Sequence, residues 1–115
     1  MRHHNTKRKF GRERKVRSGL MKSLALSLVV SGKIKTTDAK AKELRPYVEK
    51  MITMGRTDSI ANRRLLISRV GTIGAKKIIK DISPKYTTRA GGYTRITKLP
   101  QRVSDGSLMA VIELI

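Results

Sequence analysis

Residues 18–38 read SGLMKSLALSLVVSGKIKTTD, and this stretch decides how the chain folds. Leucines recur there at four-residue spacing, on one face of an amphipathic helix: Leu20, Leu24 and Leu28. We expect Ser18 to cap the start of that helix and Gly32 to end it in the left-handed conformation. The alternation from Lys33 to Thr37 then predicts a short strand.

The apolar periodicity predicts three more helices, over residues 38–55, 57–70 and 75–82. Thr37 offers a hydroxyl cap to the first of them. Its pattern continues through Pro46, so we expect one long helix, although a proline removes a hydrogen bond and kinks a helix at that point. A turn containing two glycines is predicted before the last helix: Gly71 and Gly74.

Two strands complete the predicted fold. Residues 93–99 alternate polar and apolar side chains, and residues 108–114 are apolar on both faces except at Glu113, as in a central strand. The order α-β-α-α-α-β-β predicts an α+β two-layer sandwich, with the helices packed on a small three-stranded sheet. Residues 1–17 have no periodicity, so we expect a basic extension before a single domain over residues 18–115.

Charge is the dominant feature of the composition. The 115 residues include 27 Lys and Arg against 8 Asp and Glu, which gives a formal net charge of +19. A polyanionic partner is the first hypothesis, because such a charge repels itself in a compact free protein. The 3 Tyr and 1 Phe, with no Trp, offer few rings for base stacking, so we expect folded or duplex nucleic acid rather than a single strand.

Several protein classes are disfavoured by the sequence. The absence of cysteine excludes disulfides, thiolate zinc sites and a cysteine nucleophile. The basic start and the apolar stretch 20–30 imitate a secretory signal, but Lys22 and two serines interrupt it, and the basic region is too long. An organellar transit peptide also fits an Arg-rich start. Since no run reaches about 18 apolar residues, we expect a soluble protein.

Catalytic and metal-binding patterns are weak. His3 and His4 are adjacent, and no acid near them completes a metal site. The acids lie mostly at helix starts, as Asp38 and Asp58 do, where they compensate the helix dipole. The glycine pair at 91–92 is too short for the phosphate loop of nucleotide hydrolases. We therefore expect no enzymatic activity, no metal, no cofactor and no small-molecule substrate.

The basic residues of the extension are the first candidate nucleic-acid contacts. A nuclear localisation signal, a polybasic membrane patch or a solvated tail has a similar composition. A nucleic-acid arm explains them best, because basic residues are also spread through the predicted domain. The candidates are Arg2, His3, His4, Lys7, Arg8, Lys9, Arg12, Arg14, Lys15 and Arg17.

Two further candidates lie in the predicted domain. Arg63 and Arg64, early in the third helix, are either RNA contacts or simply its exposed face. In residues 89–95, RAGGYTR, two glycines allow backbone amides to approach a phosphate, and Tyr93 is placed to stack on a sugar or base. An ordinary glycine turn entering a strand fits equally well. The candidates in this loop are Arg89, Gly91, Gly92, Tyr93 and Arg95.

Four motifs, spread over nearly the whole chain, point to a known family. They are MRH at 1–3, KIKTTDAKAKEL at 33–44, RAGGYTRI at 89–96 and IEL at 112–114. In this order and spacing they resemble the bacterial large-subunit ribosomal protein seventeen family. The resemblance implies an α+β two-layer sandwich, present in one copy per ribosome. It also implies binding to large-subunit ribosomal RNA near the exit of the nascent-peptide tunnel, beside ribosomal protein number thirty-two.

The resemblance also implies roles for individual residues. RNA contacts are implied for the loop at 89–95 and for five residues of the extension: Arg2, His3, Gly11, Arg12 and Arg17. The chain departs from the family pattern at two places. Val16 stands where the family usually has a histidine, and residues 102–105 read RVSD where it usually has RxGD.

These observations lead to one expected function and to alternatives. We expect a non-catalytic structural constituent of the large ribosomal subunit that binds and stabilises folded ribosomal RNA in the cytoplasm. A small basic DNA-architectural protein is the alternative that composition alone permits, and a membrane-active basic protein is another. An RNA-modifying enzyme fits least, because no catalytic group is identified. A competition experiment between duplex DNA and structured ribosomal RNA distinguishes the ribosomal function from the DNA-architectural alternative.

Overall fold

The computed structural model describes residues 10–89 and 91–115, in which three helices accompany a three-stranded antiparallel sheet. The elements are α1 (Arg14–Ser31), β1 (Lys33–Thr37), α2 (Asp38–Gly55), α3 (Ile60–Lys77), β2 (Thr94–Leu99) and β3 (Met109–Leu114). A π-helical turn, Ile78–Ile82, and a 3₁₀ turn, Ser83–Tyr86, follow α3. The α+β class and the expected order of elements are confirmed.

The sheet has the strand order β1-β3-β2, so β3 is the central strand, as its apolar sequence predicts. Ile112 lies opposite Ile34 on one side and Ile96 on the other. Because successive side chains of a strand alternate between faces, these three isoleucines share the face that packs on the helices. The neighbouring row, with Glu113 between Lys33 and Arg95, lies on the opposite face.

The core lies between the sheet and α2, which contacts all three strands and both other helices. Leu44, Val48 and Ile52 of α2 are fully buried, together with Leu28 of α1 and Leu66 of α3. Each such side chain stabilises the fold by about 1.5–3 kcal/mol relative to an exposed one. The helix α2 continues through Pro46 as one element. The face of α2 that points away from the core is exposed.

Capping residues mark the starts of α2 and α3 and the end of α1, whereas the start of α1 differs from the prediction. The hydroxyls of Thr37 and Ser59 accept hydrogen bonds from the backbone at the starts of α2 and α3, and Gly32 ends α1 with φ of 79°. The predicted start at Ser18 is wrong, because α1 begins at Arg14. The missed turn consists mainly of Arg and Lys, which are good helix formers but have no apolar periodicity.

The predicted turn between the last two helices is only partly correct. Gly71, with φ of 87°, interrupts the helical geometry of α3, but Gly74 lies within the helix. A Cβ on Gly74 would lie 2.7 Å from Cγ2 of Val70 and 3.2 Å from Cδ1 of Leu26, so its missing side chain permits close packing with α1. The predicted fourth helix over 75–82 is present as the end of α3 and the π-helical turn.

Candidate nucleic-acid interface

The described part of the predicted extension, residues 10–17, consists of a short basic segment and the first turn of α1. Arg12, Arg14 and Lys15 are exposed, and Arg17 is half-buried. The Nη1 of Arg12 donates to the carbonyl of Phe10 at 2.8 Å, which curls the chain just before the helix. Six of the predicted contacts lie outside the described residues: Arg2, His3, His4, Lys7, Arg8 and Lys9.

The two arginines at the start of α3 differ in their surroundings. Arg63 forms a two-pronged ion pair with Asp58, with Nε–Oδ1 at 2.6 Å and Nη2–Oδ2 at 2.7 Å. This hydrogen bonding lowers the pKa of Asp58 below its usual value. Arg64 is exposed, and its side chain has no hydrogen bond or ion pair within residues 10–89 and 91–115. Only Arg64 therefore presents an uncompensated charge at this position.

Arg95 also has an acidic partner. It lies opposite Glu113 in the β2–β3 register, and its Nε and Nη2 both lie 2.8 Å from Oε1 of Glu113. The pair lies on the outer face of the sheet, where the Arg95 side chain is 60% exposed. Arg89 is likewise exposed, but its guanidinium forms no ion pair with any residue that the structure describes. The two arginines that bracket the loop therefore differ in available charge.

Tyr93 is fully buried, which corrects the expectation that its ring stacks on a sugar or base. The ring packs on that of Tyr86 with a centroid separation of 4.9 Å. Its hydroxyl lies 3.1 Å from Oγ1 of Thr53 and donates to the carbonyl of Arg89 at 3.1 Å. Tyr93 therefore anchors the loop to α2 from inside the protein.

Arg56, which sequence reasoning missed, holds the same loop from outside. It follows α2 directly, and its Nη2 and Nη1 donate to the carbonyls of Thr87 at 2.6 Å and Arg89 at 2.9 Å. Its Nη1 also lies 3.4 Å from the Tyr93 hydroxyl. Nothing in the local sequence around Arg56 indicates partners more than thirty positions away. One guanidinium thus gathers the carbonyls that precede the two glycines.

Glu49 of α2 fixes the point where the loop enters β2. Its Oε1 accepts from the backbone N–H of Tyr93 at 2.9 Å, and the Thr94 hydroxyl lies 3.4 Å away. Arg45, one turn earlier, approaches the other carboxylate oxygen at 3.9 Å. The sequence indicates only an acid within an amphipathic helix, so the tertiary fold reveals this role.

The fold leaves room for a side chain at both loop glycines. A Cβ on Gly91 or Gly92 would meet no atom within 4 Å in the described part of the chain. Gly92 adopts φ of 66°, which favours glycine, whereas Gly91 has no such requirement. Gly91 therefore leaves a place where another molecule can approach the backbone closely.

Two grooves run along the exposed face of α2. The first, of about 460 Å³, reaches from Phe10, Arg14 and Arg17 to Lys50 and Arg69. The second, of about 650 Å³, continues from Lys50 and Arg69 to Gly91. Sequence reasoning singled out neither Lys50 nor Arg69, since one cation on α2 and another on α3 form no local pattern. The linings of both grooves exclude Arg63, Arg64 and Arg95.

The turn between β2 and β3 includes residues 102–105, where the chain departs from the pattern of the family it resembles. Side-chain contacts hold this turn together. Arg102 pairs with Asp105 at 2.9 Å and 2.6 Å, and the backbone N–H of Ser107 donates to Asp105 at 3.0 Å. These contacts lower the pKa of Asp105 well below its usual value. The turn thus forms with Ser104 in place of the glycine.

No group of three or more His, Asp or Glu side chains among residues 10–89 and 91–115 is placed to hold a metal ion. Across the same residues, no helix has the length and apolar character needed to span a membrane.

Comparison with known proteins gives a consistent result. Residues 20–115 match the family model described as ribosomal protein L17. Large ribosomal subunit protein bL17 of Sulfurimonas denitrificans is 47% identical over 116 residues, covering 100% of both chains. The bL17 protein of Gemmatimonas aurantiaca is 47% identical and covers 100% of this chain and 98% of its own. That of Akkermansia muciniphila is 44% identical, with 100% and 85% covered.

Proposed function

The chain belongs to the ribosomal protein L17 family, and from that premise we propose that it binds and stabilises folded large-subunit ribosomal RNA by neutralising phosphates. It is a structural, non-enzymatic protein of the large ribosomal subunit. One observation carries the RNA-binding proposal: the formal net charge is +19, and exposed cations such as Arg64 and Arg89 have no acidic partner among the described residues. Phosphate oxygens are the natural ligands of such cations.

The proposed contacts come from two parts of the chain. The extension, residues 1–17, contributes through its basic side chains, and the domain over residues 18–115 contributes through Arg64 and the 89–95 loop. Gly91 and Gly92 admit a phosphate close to the backbone, while buried Tyr93 acts indirectly by holding the loop. The extension contacts proposed are Arg2, His3, His4, Lys7, Arg8, Lys9, Gly11, Arg12, Arg14, Lys15 and Arg17.

Arg63 and Arg95 are proposed to contact RNA by releasing their carboxylate partners and binding phosphates instead. Both side chains are exposed, at 57% and 60%, and both now bind a carboxylate. An ion pair this exposed is weak in water, so a nearby phosphate competes with it effectively.

We further propose a position near the exit of the nascent-peptide tunnel, in one copy beside ribosomal protein number thirty-two, in ribosomes of the cytoplasm. Ile73, a side chain of α3 that is 74% exposed, offers a position at which a neighbouring protein can be detected. Because the chain has no cysteine, Ile73→Cys introduces a unique cross-linking point. One dominant cross-link to a small basic protein within the large subunit is expected. A smear of products equal to that of the free protein would contradict the proposal.

The RNA-binding proposal is tested by sedimentation and competition. The tagged protein should travel with the large subunit through a sucrose gradient at moderate salt, and high salt should remove it. At fixed salt, structured ribosomal RNA should compete for the purified protein better than duplex DNA of equal length. Equal competition by both would contradict ribosomal RNA binding and favour the DNA-architectural alternative.

A further inference from the structure

The two grooves along α2 form one channel, because three residues line both of them: Pro46, Lys50 and Arg69. Pro46 and Lys50 lie one turn apart on the exposed face of α2, and Thr53 continues that face into the second groove. The channel therefore leads from Arg14, at the root of the extension, to Gly91 in the loop. The two proposed RNA-binding parts, distant in sequence, are joined by this path.

The cations of the channel are available for a ligand. Four basic side chains line it, and none of them forms a hydrogen bond or ion pair with a described residue: Arg14, Arg17, Lys50 and Arg69. Arg63, Arg95 and Arg102, outside the channel, are each bound to an acid. Charge that is uncompensated and lines a concave path binds an anion better than scattered charge does, because several phosphates are held at once.

The acids of the channel offset only part of this charge, since two carboxylates line it, Glu43 and Glu49, against four cations. Glu49 accepts hydrogen bonds from the Tyr93 N–H and the Thr94 hydroxyl, which direct its carboxylate towards the loop. Glu43 also has a partner. At the far end, Gly91 lines the channel without any steric or conformational need for glycine, which leaves room for a phosphate against the backbone.

We propose that the channel holds one segment of RNA sugar–phosphate backbone, with Lys50 and Arg69 binding phosphates at its midpoint. The segment continues towards Arg14 in one direction and lies against Gly91 in the other. This inference rests on the proposed function and adds residues and a path to it. An acidic polypeptide is the competing occupant, and poly-glutamate is the probe for it.

The test compares two double variants that each remove two positive charges. Lys50→Ala with Arg69→Ala alters the channel, whereas Lys80→Ala with Lys98→Ala removes exposed cations that do not line it. The channel variant should lose at least about tenfold in affinity for ribosomal RNA at moderate salt. Its log–log salt slope should fall by roughly 1.4–1.8, which corresponds to two phosphates.

Each other outcome has a distinct meaning. Equal losses in both double variants would overturn the channel and indicate a diffuse charge effect. If the channel variant loses poly-glutamate binding but keeps its RNA affinity, the occupant is an acidic protein segment and the proposal fails. A wild-type protein that prefers duplex DNA to ribosomal RNA would instead refute the proposed function.

Gly91 provides a second test that removes no charge. Gly91→Leu should leave the free energy of unfolding unchanged but weaken RNA binding several-fold, because the leucine side chain occupies the space that the proposal assigns to the RNA backbone. Gly19→Leu is the matched control, since Gly19 also has no neighbour within 4 Å in the described chain and lies on neither groove. Equal RNA affinity for both variants would contradict close approach at Gly91.

Discussion

Tyr93→Phe separates anchoring of the loop from direct stacking on RNA. The change keeps the buried ring and its packing on Tyr86 but removes the hydroxyl that meets Thr53 and the Arg89 carbonyl, each at 3.1 Å. Water can hydrate those two exposed partners after the change, so the loss is smaller than for two buried hydrogen bonds. We expect a decrease in the free energy of unfolding of about 1–1.5 kcal/mol.

That decrease is measurable in a domain of this size. It corresponds to a shift in Tm of several degrees, since about 1 kcal/mol moves Tm by roughly 4–8 °C in domains of up to about 100 residues. Urea unfolding followed by circular dichroism gives the free energy. Amide hydrogen exchange of residues 87–93 should accelerate, because the Arg89 carbonyl loses one of its two internal donors and keeps only Arg56. RNA affinity should fall modestly with an unchanged salt slope, since no cation is removed.

Tyr86→Phe is the matched control. The Tyr86 hydroxyl donates to the carbonyl of Ile115, so its removal should destabilise the chain terminus without changing exchange in the 87–93 loop. The reasoning is refuted if Tyr93→Phe leaves both unfolding and loop exchange unchanged while RNA binding collapses. That result would place the hydroxyl against RNA rather than inside the protein.

Three further predictions concern other parts of the chain. Deletion of residues 2–9 should weaken RNA binding and lower the salt slope by roughly 0.7–0.9 per phosphate lost, while the urea midpoint of the domain stays unchanged; an unchanged slope would refute the role of the extension. Gly55→Ala should destabilise by about 1–2 kcal/mol in urea unfolding, because its Cβ would lie 2.6 Å from the Ser83 hydroxyl, and a neutral effect would contradict that packing. The pKa of Asp105 is lowered by Arg102, so its carboxylate stabilises the hairpin above about pH 4 and less as the pH falls. The urea midpoint of Asp105→Asn should therefore lie below that of the wild type at about pH 6 and approach it at about pH 2, and a gap independent of pH would refute the pair.

Most of the fold follows from local patterns in the sequence. The leucine spacing before Gly32, the cap at Thr37 and the apolar run of the last strand predict elements that the structure confirms. These signals succeed because helix and strand periods depend on residues two to four positions apart. The predicted start of α1 was wrong for the same reason. The turn that begins at Arg14 has no apolar periodicity, so the sequence does not reveal it.

The candidate interface was predicted less completely. Composition and motifs indicate that the chain is basic, that it resembles a ribosomal protein family and that residues 89–95 are a candidate RNA contact. They cannot indicate that Tyr93 is buried, because the residues that cover and bond it, such as Thr53, lie tens of positions away. They also miss Arg56, which binds the loop across more than thirty residues.

Local sequence patterns establish the order of elements and the family, and the net charge of +19 predicts an anionic partner. Only the tertiary structure decided which cations are available. The sequence favoured Arg63 and Arg95 as contacts and passed over Lys50 and Arg69, but the structure shows the first two bound to Asp58 and Glu113, while the others line an open channel. The physical reason is that the charge a cation offers to a ligand depends on which acid lies within about 4 Å of it, and that distance is set by the folded backbone and its packing rather than by residue type.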